Sequence, residues 1–113
     1  MIVNKLFVYG TLAPGKPNEH ILAGKTGTWV QASVRGTLYQ EGWGAALGYP
    51  GLILDEQAEK VTGLVFTSDE LPESWAMLDE FEGDGYQRVL TSVEFTNGTK
   101  AQAYVYHIKK ANE

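Results

Sequence analysis

The chain has 113 residues, a length that suits one domain spanning 1–113 and burying roughly 65% of its unfolded surface. Hydrophobic residues make up 43% of it and charged residues 20%, the usual balance of a folded globular protein. It has no cysteine, which excludes disulfides, zinc–thiolate sites and thiol nucleophiles. Its net charge of −5 excludes the basic field that binds nucleic acid.

The N-terminal residues lack the basic region and long apolar run of a signal peptide, and no apolar stretch reaches membrane-spanning length. We therefore expect a cytoplasmic protein with no membrane segment and no nucleic-acid partner. Nothing in the sequence indicates its oligomeric state.

Short apolar runs separated by glycines predict a mostly β fold. Residues 5–9 are rich in β-branched and aromatic side chains and end at Gly10, which predicts a first strand in the centre of the sheet. Residues 28–34 alternate and then meet 36–39, which predicts a bent or paired strand there. Further strands are predicted at 52–54, 61–67, 87–95 and 99–107. Asn97-Gly98 between the last two predicts a hairpin. Strands this short predict a strongly twisted barrel or sandwich with one helix packed on it.

Helix signals lie between residues 69 and 82. Ser68 and Asp69 are suited to capping the start, Pro72 is tolerated in a first turn, and Gly83 is a typical residue just past a helix. The side chains expected to face the core are Leu71, Trp75 and Leu78.

Glu82 lies on the same stripe, four residues after Leu78, whereas Glu73 and Glu80 are predicted to face water. A carboxylate on the apolar face breaks the expected pattern, as functional residues often do. The negative end of the helix dipole and partial burial would both raise its pKa, toward the range of a general acid–base. Alternatively, the last turn frays and exposes Glu82, or Glu82 pairs with Arg88.

Tyr9-Gly10-Thr11-Leu12 forms a second candidate element, because a glycine after a strand permits a sharp turn that exposes successive backbone N–H groups. Such a nest of amides holds a carboxylate or a developing oxyanion, with the Thr11 hydroxyl as a further donor. The segment lacks the motifs of phosphate and dinucleotide loops. By itself, a strand that ends in glycine is common.

The remaining candidates favour structural roles. His20 and His107 have no spacing partner, so we expect no metal site, and His20 is expected to be exposed. Arg88 is expected to orient Glu82 or to pack its stem on the barrel. Core or barrel positions rather than a base-stacking platform are predicted for Trp29, Trp43, Trp75, Tyr39, Tyr104 and Tyr106. The glycine-rich segment 41–46 is interpreted as a surface loop or as a rim of the site.

Together, these segments resemble the γ-glutamylcyclotransferase-like (AIG2-like) family over nearly the whole chain. The segment 7–12 is similar to the family's opening signature, and 15–18 continues it as in the γ-glutamylamine cyclotransferase branch. Gly48-Tyr49-Pro50-Gly51 is similar to the middle motif. The segment 78–83, followed by Tyr86-Gln87-Arg88, is similar to the catalytic segment, in which the second glutamate, here Glu82, is catalytic.

The resemblance implies an α+β fold, a small twisted mixed β-barrel with one main helix, and a cavity between the first turn and Glu82. It implies conversion of a γ-glutamyl amine or amino acid to 5-oxoproline and a free amine, without metal or cofactor. The implied site residues are Glu82 as acid–base, with Tyr9, Gly10, Thr11, Leu12, Tyr49 and Tyr86 binding the substrate.

Two other functional classes remain open. A non-catalytic module on the same fold would bind a small acidic metabolite, although Glu82 would be a poor choice in an anion binder. A barrel that binds nucleic acid or a protein partner would need a basic stripe, against which the acidic composition argues.

Overall fold

The computed structural model of the protein describes residues 3–9, 15, 20–39 and 51–108. The strands are β1 (Lys5–Val8), β2 (Thr28–Tyr39), β3 (Gly51–Leu54), β4 (Lys60–Thr67), β5 (Tyr86–Phe95) and β6 (Lys100–Ile108), and the helices are α1 (His20–Ala23) and α2 (Trp75–Glu82). None of the helices in this part of the chain is long and apolar enough to cross a bilayer.

Five strands close into a barrel. Antiparallel pairings join β1 to β4, β4 to β2, β2 to β5 and β5 to β6, and a parallel pairing of β6 with β1 completes the circuit. Strand β3 is an additional strand that pairs antiparallel with the end of β2 and parallel with β6. The prediction of an α+β fold with a mixed barrel is confirmed, and β1 has partners on both sides, as predicted.

The predicted hairpin joins β5 to β6. The Phe95 N–H donates to the Thr99 carbonyl at 2.8 Å, and the Gly98 N–H donates to the Phe95 carbonyl at 3.0 Å. Gly98 has φ +88°, a conformation that other residues adopt at a cost. The loop is therefore a turn followed by a left-handed glycine, a common way to join two long strands.

Successive side chains point to opposite faces of each strand, so the core has two layers, one inside the barrel and one outside it. In β1, Phe7 points into the barrel, while Leu6 and Val8 point outward beneath the helices. The interior cluster consists of Phe7, Ala32, Val34, Leu52, Val65, Val93, Ala103 and Val105. The outer cluster consists of Leu6, Val8, Leu22, Phe66, Leu71, Leu78 and Tyr106, with Trp75, Tyr86 and Tyr104 at its border.

Helix α2 is shorter than the predicted helix over 69–82. The segment before Trp75 consists of tighter turns, with the Leu71 N–H donating to the Ser68 carbonyl and the Ser74 N–H to the Leu71 carbonyl. Pro72 explains why α2 begins later in the chain than predicted, because it has no N–H to donate and disfavours helical backbone at the preceding residue. The Ser68 hydroxyl does accept the Glu70 N–H at 3.1 Å, but it caps these turns rather than α2.

Other differences from prediction are local. Residues 28–39 form one continuous strand, and the single-turn helix α1 was not predicted. Tyr39 is an exposed side chain rather than a core aromatic. Trp29 does pack on the buried Phe66, with ring centroids 4.6 Å apart, and His20 is exposed, as predicted. Trp43 and the loop 41–46 lie outside the described residues.

Candidate functional site

Glu82 is the last residue of α2, and the helix ends there because Gly83 turns into the left-handed region at φ +80°. The Gly83 N–H closes the final turn by donating to the Asp79 carbonyl at 3.0 Å. Leu78, one turn earlier on the predicted stripe, is fully buried. Glu82 itself is only partly accessible, whereas Glu73 and Glu80 are exposed. The last turn is therefore helical rather than frayed.

Burial raises the pKa of Glu82 from its ordinary 4.5 to about 7. Burial is the cause of this shift. The contribution expected from the helix dipole stays a prediction. Within the described residues, no hydrogen bond or ion pair to its carboxylate is present. A carboxyl group with a pKa near 7 accepts and returns a proton at neutral pH with little energetic cost.

Tyr9 follows β1 and lies near Glu82, which contributes to its electrostatic environment. Its hydroxyl donates to the Tyr106 carbonyl at 2.6 Å and accepts the Leu52 N–H at 3.2 Å. Burial raises the Tyr9 pKa, and Tyr86 and Glu82 raise it further against the opposing effect of the Leu52 N–H. The hydroxyl therefore stays protonated at neutral pH and ties the end of β1 to β3 and β6.

Tyr86 opens β5 three residues after Gly83, and its N–H donates to the Gly83 carbonyl at 3.3 Å. Its half-buried ring packs against the outer cluster, and it influences the same hydroxyl of Tyr9 as Glu82 does. The structure therefore brings together three of the predicted site residues: Tyr9, Glu82 and Tyr86.

Asp79 was not singled out as a site residue, yet it forms the densest polar network beside Glu82. Its carboxylate accepts hydrogen bonds from Arg88 Nε at 2.9 Å and Nη2 at 3.3 Å, and from the Tyr106 hydroxyl at 2.8 Å. Burial disfavours the charged form, but these bonds and the guanidinium charge outweigh it and lower the Asp79 pKa. The signal in the sequence was its position, one turn after Trp75 and one turn before Glu82.

Arg88 is bound to Asp79 and not to Glu82, so the predicted orientation of Glu82 by Arg88 is wrong. Its guanidinium carbon lies 4.7 Å from the Trp75 ring centroid and 4.5 Å from that of Tyr104. Bidentate pairing and stacking both suit the planar guanidinium, which explains why this position carries arginine. The predicted packing of its stem on the barrel agrees with these contacts.

The predicted substrate-binding residues Gly10, Thr11, Leu12 and Tyr49 lie outside the described residues, as does most of the proposed cavity wall. The complete set of site residues therefore stays a prediction. In the described part of the chain, no group of three or more His, Asp or Glu side chains could hold a metal ion.

A groove of about 470 Å³ lies at the opposite end of β5, where β5 and β2 separate. Its charged side chains are Arg35, Lys60, Lys100, Asp55, Glu56 and Glu94. Cations and carboxylates are equal in number there, and Lys60 already pairs with Glu94 at 2.8 Å. The groove therefore selects neither anions nor cations, and Glu82 does not line it.

Comparison with known proteins connects this geometry to a family. The family described as "Gamma-glutamyl cyclotransferase, AIG2-like" matches residues 6–113. A Niallia circulans relative, "Gamma-L-glutamyl-butirosin B gamma-glutamyl cyclotransferase", is 34% identical over 90% of this chain and 66% of its own length.

Two solved structures share the fold. YkqA from Bacillus subtilis has a TM-score of 0.72 and 30% identity, covering 96% of this chain but 36% of its own. An AIG2-like protein from Mus musculus has a TM-score of 0.71 and 25% identity, covering 100% of this chain and 80% of its own. This chain thus spans 66% of the Niallia circulans relative and about a third of YkqA. The chain belongs to the gamma-glutamyl cyclotransferase, AIG2-like family.

Proposed function

We propose that this protein is a γ-glutamyl cyclotransferase that converts a γ-glutamyl amine or amino acid to 5-oxoproline and the free amine, with Glu82 as its only acid–base group. The observation that carries the proposal is the partly buried carboxyl group at the end of α2, whose pKa is raised to about 7. Family membership and the Niallia circulans relative support the reaction class.

In the proposed reaction, ionised Glu82 takes a proton from the α-ammonium group of the substrate. The freed amine attacks the γ-carbonyl carbon, and a new C–N bond closes the five-membered ring. Glu82 then returns the proton to the leaving nitrogen as the original C–N bond breaks. The second proton of the attacking nitrogen is lost as the ring closes and passes to the released amine, which leaves as its ammonium form, so that no proton is gained or lost overall. Acid–base assistance of this kind typically contributes a factor of about 10²–10⁴ in rate.

The attack is intramolecular, so holding the substrate in a near-attack geometry supplies much of the acceleration, up to roughly 7–11 kcal/mol in favourable cases. We assign this holding to the backbone N–H groups from Tyr9 to Leu12, which would also stabilise the oxyanion that forms at the γ-carbonyl. Tyr49 and Tyr86 would line the cavity. The Tyr9 hydroxyl is already bonded to backbone groups of Leu52 and Tyr106, so the expected contribution of Tyr9 is its main chain.

The test is a screen of γ-glutamyl amines, γ-glutamyl amino acids, ε-(γ-glutamyl)lysine and γ-L-glutamyl-butirosin B for release of 5-oxoproline. With an accepted substrate, Glu82→Gln should lower kcat by at least about 10²-fold, because glutamine cannot shuttle a proton. Glu80→Gln is the matched control, since it removes an exposed carboxylate from the same helix and should keep full turnover. Circular dichroism establishes that both variants are folded.

Unchanged turnover in Glu82→Gln would overturn the proposed role of Glu82. If calorimetry shows tight binding of a γ-glutamyl compound while no 5-oxoproline forms, the protein is a binding module and the proposed reaction is wrong.

A further inference from the structure

Asp79 and Glu82 lie on one flank of α2, one turn apart, but their surroundings differ. Asp79 accepts three hydrogen bonds, two from Arg88 and one from Tyr106. The carboxylate of Glu82 has no cation bound to it in the described residues. Asp79 therefore holds the nearby guanidinium, and Glu82 does not share it.

Arg88 lies on β5, beside the flank of α2 that carries both acids. Tyr86 and Arg88 occupy the same face of β5, and Tyr86 lies at the level of Glu82 while Arg88 lies at the level of Asp79. Moving the guanidinium from Asp79 to Glu82 would require a displacement of about one helical turn. Its present place is defined by Asp79 and by the rings of Trp75 and Tyr104.

An arginine bound to Glu82 would oppose the chemistry proposed for it. A guanidinium beside a carboxylate favours the charged form and would make the proton harder to accept at neutral pH. We propose that Asp79 is a positioning residue that holds the Arg88 guanidinium on the flank of α2, and thereby keeps Arg88 from pairing with Glu82. This inference rests on the proposed function, in which Glu82 must cycle between protonation states.

Two other titratable groups of the described residues interact with the charge of Glu82, and both are phenols. Tyr9 at the end of β1 and Tyr106 on β6 both feel its charge, and burial is the largest cause that raises the pKa of each hydroxyl. Both are neutral at physiological pH. On the described elements α2 and β5, the ion pair beside Glu82 is therefore that of Asp79 with Arg88.

The experiment follows the titration of Glu82 by carboxyl ¹³C NMR, with Glu82→Gln identifying its signal, in the wild type, Asp79→Asn, Arg88→Met and the double variant. Asp79→Asn should lower the Glu82 midpoint by about 0.5 to 1 pH units, because a like charge is lost and Arg88 is freed. Arg88→Met should raise the midpoint by a similar amount, since Asp79 is then uncompensated. The double variant should return to within about 0.3 pH units of the wild type.

Glu80→Gln is the matched control, because it removes one negative charge from the exposed side of α2 and should leave the midpoint nearly unchanged. A purely structural role for the Asp79–Arg88 pair predicts equal midpoints in folded single variants, or a double variant that is no closer to the wild type than either single variant. Either result would overturn the proposal.

For an accepted substrate, the acidic limb of the pH profile of kcat/KM should move with the NMR midpoint in each variant. Turnover and the NMR titration together separate the proposed reaction from the proposed role of Asp79. A wild type with no turnover contradicts the proposed reaction, while the NMR titration still decides whether Asp79 keeps Arg88 from Glu82.

Discussion

The inside of the barrel and the layer between the barrel and α2 are built differently. The interior consists of aliphatic side chains around Phe7 and contains no buried charge among the described residues. The outer layer mixes leucines with aromatic rings, and its edge carries the carboxylates of Asp79 and Glu82. Burial stabilises the interior by area alone, whereas the outer layer also depends on specific hydrogen bonds. The interior therefore contributes mainly to stability, and the outer layer positions the candidate site.

The largest expected effects come from truncating one side chain in each layer. Phe7→Ala in the interior should destabilise the protein by about 3–5 kcal/mol, and Leu78→Ala in the outer layer by about 2–5 kcal/mol, measured by urea unfolding. Below the unfolding transition, Phe7→Ala should keep most of its turnover, while Leu78→Ala should lose it, because Leu78 seats the turn that carries Glu82. Equal losses of turnover in Phe7→Ala and Leu78→Ala would mean that the outer layer has no special part in positioning the candidate site.

A pH-dependent effect of intermediate size distinguishes Glu82 from ordinary surface acids. Its pKa is raised on folding from 4.5 to about 7, so the folded state holds a proton that the unfolded state releases between those values. Stability should therefore fall as pH rises through this window. Glu82→Gln removes that penalty and should stabilise the protein by about 1–3 kcal/mol at pH 8 but little at pH 4.5.

Urea unfolding at the two pH values measures this difference, and Glu80→Gln at the exposed position gives the baseline. A gain from Glu82→Gln that is the same at both pH values would show that burial does not perturb this carboxyl group.

The smallest effect uses two glycines that both have a positive φ. Gly83 and Gly98 have φ of +80° and +88°, and an added Cβ meets no atom within 4 Å at either position. The backbone conformation alone therefore sets the cost of alanine in thermal or urea unfolding, about 1 kcal/mol at Gly98 and more at Gly83, whose ψ of −169° lies in a region essentially confined to glycine. Only Gly83→Ala should also lower kcat, because it alters the residue next to Glu82. If Gly98→Ala lowered kcat by as much as Gly83→Ala, the position of Gly83 next to Glu82 would not explain the loss.

Local patterns in the sequence predicted most of the barrel. Strand composition and the Asn97-Gly98 turn act over a few residues, and the hairpin and the central position of β1 are confirmed. Burial of Leu71 and Leu78 was likewise readable, because both lie on the predicted apolar stripe. Helix α2 starts later than the cap signal at Ser68 predicts, because Pro72 has no N–H to donate to a helical hydrogen bond.

The acidic partner of Arg88 was less predictable from the sequence. Nothing in sequence spacing says whether Arg88 pairs with Asp79 or Glu82, because both acids lie on one flank of the same helix. In the structure, the guanidinium that binds Asp79 also stacks on the rings of Trp75 on α2 and Tyr104 on β6. Such contacts depend on how β5 and β6 pass beneath α2, which local patterns do not contain.

The closure of the barrel has a consequence for how the molecule assembles. Phe7 pairs with Val105, so β1 obtains one of its two neighbours only after nearly all of the described chain has been arranged. The Tyr9 hydroxyl reinforces that late junction by joining backbone groups of Leu52 and Tyr106. Pairings between such remote segments slow folding, so we expect ring closure of the sheet to be a late step. The same closing step brings Tyr9 to Glu82, and the described part of the candidate site is therefore complete only when the barrel is closed.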